Sequence, residues 1–290
     1  MNRRYQRELF VKFVFTAGAS TSILVVFLIF LFLFREALPF AWNPGLGELV
    51  GTRWMPVTFQ QPGYGLIPLI TGSLLVTFTA TLIAIPFGVL GAVYIAEMAH
   101  SVEREILKPF IELLAGIPSV VLGFFGLVVV APIVRDVFNL PSGLNALTGA
   151  LLLALMAIPT IISISEDAIR AVPLSYKEAS MALGASRLQT IWKVTVPAAM
   201  SGIIAAIMLG MGRVIGETMA VLMVTGNAPL VTANLFEPVR TMTATIAAEM
   251  GDVTRGAPHY QALFWIGVIL LMITFIINWV AQRVLRRYQR

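Results

Sequence analysis

The sequence predicts an all-α integral membrane protein of six transmembrane helices, and three observations carry that reading. Of 290 residues, 58% are hydrophobic and only 12% charged, with a mean hydropathy of +0.87, far from the soluble average of about 25% charged. Apolar runs of about twenty residues, the length that crosses a bilayer, recur six times between polar loops. Lysine and arginine are distributed unevenly. An even number of spans puts both termini on one side, and that side holds fourteen of the twenty basic residues, the other five, with Arg213 alone inside an apolar run. Basic residues stay cytoplasmic, so both termini are expected in the cytoplasm. The same distribution accounts for the net charge of +5 without a nucleic-acid partner. With no cysteine, and with His100 and His259 far apart, disulfides and thiolate metal sites are excluded and no metal site is expected.

The elements follow in order. Arg3, Arg4, Arg7 and Lys12 precede span one, Phe13 to Phe34, which is too long for a signal-peptide core and lacks a small-x-small cleavage site. Arg35 to Pro68 is an outer loop rich in Pro and Gly, and its Trp42, Trp54 and Tyr64 suit the membrane surface. Span two, about Leu69 to Ala96, carries Ser73, Thr77 and Thr81 at steps of four, one polar stripe. The hydroxyls either bond across to another helix or line a path for a polar solute, and packing is favoured. Span three, about Ile106 to Val134, holds Glu112 and then Gly116-Ile117-Pro118, which should kink it. Span four, about Ala146 to Ile169, ends with the i,i+4 pair Glu166 and Arg170. Span five covers about Ala198 to Val224, and span six Gln261 to about Ala281. In the outer segment between them, Thr241 to Met250 is expected as a short surface helix.

The polar segment 173–197 reads as an elbow of two short helices. Ser175-x-x-Glu178 and Ser186-x-x-Gln189 are both capping-box spacings. Gly184 suits a left-handed helix stop between them, and Val196, preceding Pro197, is the expected break. In span five, Gly202, Ala206, Gly210, Arg213 and Glu217 fall on one arc. Small residues admit a neighbouring helix, so the charged pair faces an interface or cavity and not lipid. An ionised group at the bilayer centre costs at least about 2.5–3.5 kcal/mol, and the i,i+4 spacing predicts that Arg213 and Glu217 neutralise one another, past the midplane on the outer side. The residues leave two readings open: an ion pair that fixes packing, or an arginine that meets a passing anion while the carboxylate moderates its grip. A guanidinium fork matches two oxygens of a phosphate-like oxyanion.

Two motifs carry a resemblance. Glu178-Ala179-Ser180, then Gly184, then Val194-Thr195-Val196-Pro197, resembles the EAA loop of ABC importer permeases (E-A-A, three residues, G, nine residues, I-x-L-P). Departures are Ser180 for Ala, and Val194 and Val196 for Ile and Leu. Arg213-Val-Ile-Gly-Glu217-Thr-Met-Ala-Val resembles the G-R-x-x-G-E-T-M-A-V signature of phosphate-specific ABC permeases of the PstC type. Glu112-Leu-Leu-Ala-Gly-Ile-Pro-Ser119, Gly123-x-x-Gly126-Leu and Ala131-Pro132 resemble the third span of the same family. The likeness runs from about Tyr64 onward.

That resemblance implies a type I ABC importer permease fold in one transmembrane domain, 1–290. Its parts are the N-terminal tail and span one (1–35), a permease core (64–290) and a cytoplasmic coupling loop (173–197). It implies a subunit of the prokaryotic cell membrane that moves phosphate inward. Implied partners are a PstA-type permease, a PstB-type ATPase dimer and an extracytoplasmic phosphate-binding protein. Arg213 and Glu217, with Ser73, Thr77 and Thr81 as further candidates, would face the pathway. Glu178, Ala179, Ser180, Gly184 and Pro197 would engage the ATPase. The chain has no G-x-x-x-x-G-K-[ST], so ATP and Mg are expected on the partner, with no cofactor and no catalytic residue here. A PstA-type subunit, or a permease for sulfate or molybdate, is the alternative. A stand-alone channel and an intramembrane enzyme are the remaining ones, and no nucleophile–base set supports the latter.

Overall fold

The computed structural model describes residues 3–58 and 61–288, with side chains described for residues 8–58 and 61–283. Apolar periodicity becomes helix nearly everywhere. Helix α1 (Arg3–Ala37) is followed by a loop with a two-stranded antiparallel hairpin, Trp54–Met55 against Gly63–Tyr64. Next come α2 (Ile67–Val93), α3 (Ser101–Ala115), α4 (Ser119–Phe125), α5 (Ala131–Val137) and α6 (Ala146–Arg170). The elbow is α7 (Leu174–Ala182), α8 (Arg187–Thr190) and α9 (Val196–Ala198). Helices α10 (Met200–Gly216), α11 (Met219–Val224), α12 (Met242–Glu249) and α13 (Pro258–Tyr288) complete the chain. Among the described residues five helices are long and apolar enough to cross a membrane. The unit Arg187–Ala198 with Met200–Gly216, bent by 68°, passes the same test when its two helices are counted together, which brings the number to six.

Helix α6 is the axis of the bundle. Glycines on both neighbours let it approach closely: a Cβ on Gly88 of α2 would lie 2.6 Å from Ile161, and one on Gly210 of α10 2.7 Å from the same residue. Gly202 likewise abuts Ala168. The small-residue arc of α10 is therefore a helix–helix contact, as expected, and its partner is α6. Dispersion at such short separations, and not water exclusion, holds apolar helices together in lipid.

Several boundaries differ from the sequence reading, each for a local reason. Span three is not one kinked helix. Residues 101–115 form a separate amphipathic helix with no buried residue, Gly116–Pro118 breaks the chain, and the crossing segment is Ser119–Val137. Glu112 is accordingly exposed and outside the span. Val196 stays helical (φ −63°, ψ −47°) despite Pro197. The wide π turn Ile191–Thr195 precedes it, relieving the clash that a proline ring makes with the preceding turn, and the 68° bend falls after Ala198 instead. The first elbow helix starts from Pro173, so Ser175 lies inside it and does not cap it. The rings of Trp54 and Tyr64 are not presented at the protein surface. They are buried with Phe40, Leu69, Leu263 and Ile266, and only Trp42 is exposed. Helix α12 exists but is no surface helix, since Met242, Thr243, Ala244 and Thr245 are buried.

Candidate functional site

Two helix breaks lie side by side in the bundle, and the charged signature sits between them. Span five does not run through to Val224. Helix α10 stops at Gly216, Glu217 takes an extended conformation (φ −69°, ψ 135°), and α11 restarts at Met219. Helix α11 packs on α4, where Gly123 leaves room for Ala220 and Met223. This contact brings the α10–α11 break next to the α3–α4 break.

Arg213, one turn past Gly210 on the arc that faces α6, reaches across both neighbours. Its Nη1 donates to Thr160 Oγ1 (3.3 Å) and its Nη2 to the Ala115 carbonyl oxygen (2.9 Å), the last residue of α3. Thr160 is fourteen residues from one end of α6 and ten from the other, so the guanidinium lies near the middle of the bundle and not toward its outer side. The expected ion pair does not form. Among the described residues no carboxylate comes within 4 Å of Arg213. What offsets its charge is the carbonyl end of α3, the negative pole of a helix dipole. Two of the five guanidinium donors are used in this way. The side chain is half-buried, and at Gly212 and Gly216 beside it a Cβ would meet nothing within 4 Å.

Glu217 has a different task. Its Oε1 accepts from the backbone N–H of Thr218 (3.1 Å) and of Ala220 (3.3 Å), so the carboxylate caps the restarted helix, where a negative charge is favoured. The break at Gly216 explains why the i,i+4 rule failed: that spacing joins side chains only while the helix continues. The Glu217 carbonyl accepts from Thr243 Oγ1 at 2.7 Å, which anchors α12 to the break. The other end of α12 carries Glu249, bound to Arg240 (2.7 Å), His259 (2.8 Å) and Trp54 Nε1 (3.1 Å). Burial pushes the Glu249 carboxyl up, but the hydrogen bonds from His259 and Trp54 and the charges of Arg240 and His259 outweigh this and hold it below its ordinary value.

The hydroxyl stripe of α2 is divided. Ser73 Oγ accepts from the Met242 N–H at 2.8 Å and so holds the start of α12. Thr77 and Thr81 line an apolar recess of about 320 Å³ with Leu82, Met211 and Ile277, and Arg213 is not part of its lining. The stripe and the arginine do not share a wall.

The elbow bears out its glycine and its second cap. Gly184 has φ +87°, a conformation that costs other residues about 1–2 kcal/mol, and Ser186 and Gln189 form a complete capping box. Ser180 and Thr190 hydroxyls meet at 2.9 Å and join the two short helices. Glu178 and Ala179 are exposed, and around them lie the exposed apolar side chains Tyr176, Met181, Leu183 and Leu188. Pro197 is exposed in the first turn of α9. Lys177 pairs with Glu97, and Arg187 donates to the Glu97 carbonyl. These ties bind the elbow to the turn between α2 and α3. Sequence spacing gave no signal for them, because eighty or more residues separate the partners.

A bundle of bent apolar helices with an exposed capped elbow defines a permease subunit of a membrane transporter. Residues 84–290 match the family described as binding-protein-dependent transport system inner membrane component, and this chain belongs to that family. It is 42% identical over 228 residues to the probable ABC transporter permease protein YqgH of Bacillus subtilis (79% of this chain, 74% of the relative). It is 34% identical over 262 residues to the phosphate transport system permease protein PstC of Mesorhizobium japonicum (84% and 79%). Its fold is similar to that of a chain in a bacterial ABC transporter importing the acidic polysaccharide alginate (TM-score 0.66, 16% identity, 99% and 100% covered). It is also similar to a chain of the MetNI methionine ABC transporter (TM-score 0.56, 19% identity, 78% and 95% covered). The fold is thus that of a type I ABC importer permease, a non-catalytic, multi-pass subunit of the inner membrane.

Proposed function

We propose that this chain, as one permease domain, forms half of the pathway through which an ATP-driven importer carries inorganic phosphate into the cytoplasm. The observation that carries this reading is Arg213: a guanidinium in mid-bundle that, among the described residues, has no carboxylate within 4 Å and engages two of its five donors, with open space at Gly212 and Gly216. Such a group is costly in a membrane unless it faces a polar lumen, and its fork suits a tetrahedral oxyanion. Glu217 supports the site by fixing the restarted helix, and its charge near the lumen limits how tightly an anion is held. Ser73 belongs to the packing of α12, and Thr77 and Thr81 to the α2 recess. The names of the PstC relatives favour phosphate.

The other half of the pathway is a PstA-type permease. The elbow, with Glu178, Ala179, Ser180, Gly184 and Pro197 and its exposed apolar side chains, docks on one subunit of a PstB-type ATPase dimer that holds ATP and Mg. An extracytoplasmic phosphate-binding protein delivers the solute on the opposite side, and both termini are cytoplasmic. The test is ATP-dependent uptake of labelled phosphate by the reconstituted complex, with sulfate and molybdate as competitors. Uptake that excess sulfate and molybdate leave unchanged supports the reading. Preferential uptake of either competitor overturns the choice of phosphate.

A further inference from the structure

Helix α3 presents three different faces along its length. Leu107, Lys108, Ile111 and Ala115 are half-buried on the side that packs against α6. On a second arc, about 80° wide at 100° per residue, Val102, Ile106, Phe110 and Leu113 are all exposed. On a third, Ser101, Glu105 and Glu112 open onto a furrow of about 570 Å³ whose walls also include Arg104, Lys108 and Arg170. The furrow runs along α3 toward Arg213. That guanidinium joins Thr160 of α6 to the Ala115 carbonyl at the end of α3, and Lys108 joins Glu166 (2.7 Å) and Asp167 (2.6 Å) of α6. Seven residues along α3 thus match six or seven along α6, with the two helices antiparallel. Ser101 to Ala115 covers about 21 Å at 1.5 Å per residue, which carries the furrow from mid-bundle to the end of α6 that meets the elbow. Pro109, inside α3, has no N–H for the Glu105 carbonyl, so that oxygen needs water or another donor beside the furrow.

Resting on the functional reading above, we propose that this furrow is the inner leg of the anion path, the way by which phosphate leaves Arg213 for the cytoplasm. Charged side chains alongside a span face protein or a water-filled lumen and not lipid, and the exposed apolar arc of α3 supplies its lipid side. The cations of the furrow hold an anion more loosely than Arg213 does. Among the described residues Arg213 has no carboxylate within 4 Å. Arg104 (3.5 Å), Lys108 (2.7 Å) and Arg170 (3.4 Å) all share Glu166, which is 1% exposed. Glu105 and Glu112 stand on the open side and Asp167 holds Lys108, so the leg sets three cations against four carboxylates. An oxyanion leaving Arg213 therefore meets charges that guide it and no site that retains it, and a path conducts only when each of its sites can be left. Lys108, about 10 Å along α3 from Ala115, and Arg170, at the inner mouth, are the steps. Their side chains are 30% and 49% exposed, within reach of a solute, and Glu166 is the positioning residue that keeps both on the wall.

The test uses the full complex in liposomes, with cysteine-free partner subunits. The chain has no native cysteine, so Glu112→Cys reports on the furrow and Ile106→Cys on the apolar arc. A membrane-impermeant anionic thiosulfonate, added on the ATPase side of the nucleotide-free complex, is expected to modify Glu112→Cys about tenfold faster than Ile106→Cys, which lipid shields. Modification is expected to cut phosphate transport by Glu112→Cys about tenfold from its unmodified rate, because the adduct places bulk and negative charge in the leg. Modification no faster than that of Ile106→Cys, or transport that modification leaves unchanged, overturns the proposal. Glu105→Cys, on the same arc, takes the place of Glu112→Cys if that variant does not assemble. The cations give a second reading that a merely structural role does not move, the ratio of modification rates by anionic and cationic thiosulfonates. Arg170→Gln is expected to lower this ratio at Glu112→Cys by about threefold, since one positive charge leaves the wall, and Arg170→Lys to keep it. An unchanged ratio in Arg170→Gln overturns the assignment of Arg170 as a step. Failure of these tests in a complex that transports phosphate refutes the inner leg alone. Absence of phosphate transport by the unsubstituted complex refutes the functional reading instead.

Discussion

Substituting Glu217 separates two accounts of the charged signature by magnitude. If Glu217 neutralised Arg213, removing its charge would leave a buried cation without its partner, a loss of about 3–5 kcal/mol. The structure assigns it to the start of α11, where one carboxylate oxygen accepts from Thr218 and Ala220. Glutamine keeps that oxygen and loses only the charge at a helix N-terminus, about 0.3–1 kcal/mol. Alanine removes the acceptor as well, for about 1–2 kcal/mol. At about 2–4 °C per kcal/mol, thermal unfolding of the detergent-purified protein should show Glu217→Gln within about 4 °C of the parent and Glu217→Ala below it. A double-mutant cycle with Arg213→Gln should give a coupling energy near zero. Glu217→Gln lowered by more than about 3 kcal/mol, with strong coupling to Arg213, would refute the capping assignment.

Other expectations follow from the elbow and from the Glu249 cluster. A Cβ at Gly184 meets nothing within 4 Å, so Gly184→Val acts through backbone strain of about 1–2 kcal/mol and a changed elbow surface. The complex should assemble while ATP hydrolysis outruns uptake, and wild-type values of both would remove the elbow from coupling. Because the Glu249 pKa is lowered in the folded protein, the stability it contributes is fully present above the ordinary carboxylate value. That stability fades as pH falls through the lowered one. Melting temperature should therefore drop between pH 6 and pH 3 by less in Glu249→Gln than in the parent, and identical pH profiles would deny the cluster that role.

Much of the fold was legible because its signals are local. Span positions follow from apolar length, and Gly202, Ala206 and Gly210 announced a close helix contact that α6 supplies. The stop at Gly184 and the cap at Ser186 are set by residues three or four apart. The site was half legible. Arg213 stood out as a charge in an apolar run, but its partners are a backbone carbonyl ninety-eight residues away and a threonine fifty-three away. Neither leaves a trace in spacing. The assumption that span five is continuous turned Glu217 into an ion-pair partner, and only the restart at Met219 reveals it as a cap. Trp54 likewise looked interfacial by residue type, whereas Glu249 offers its indole N–H an acceptor and draws it into the core.

Arg213→Gln in the reconstituted complex, assayed for ATP-dependent uptake of labelled phosphate, tests the central reading most directly. Glutamine is neutral and keeps the aliphatic stem, and position 213 is far from the elbow, so assembly and ATPase docking should persist while uptake falls to the background of an ATP-free control. Uptake at the parent rate with the complex intact would show that no anion meets this guanidinium.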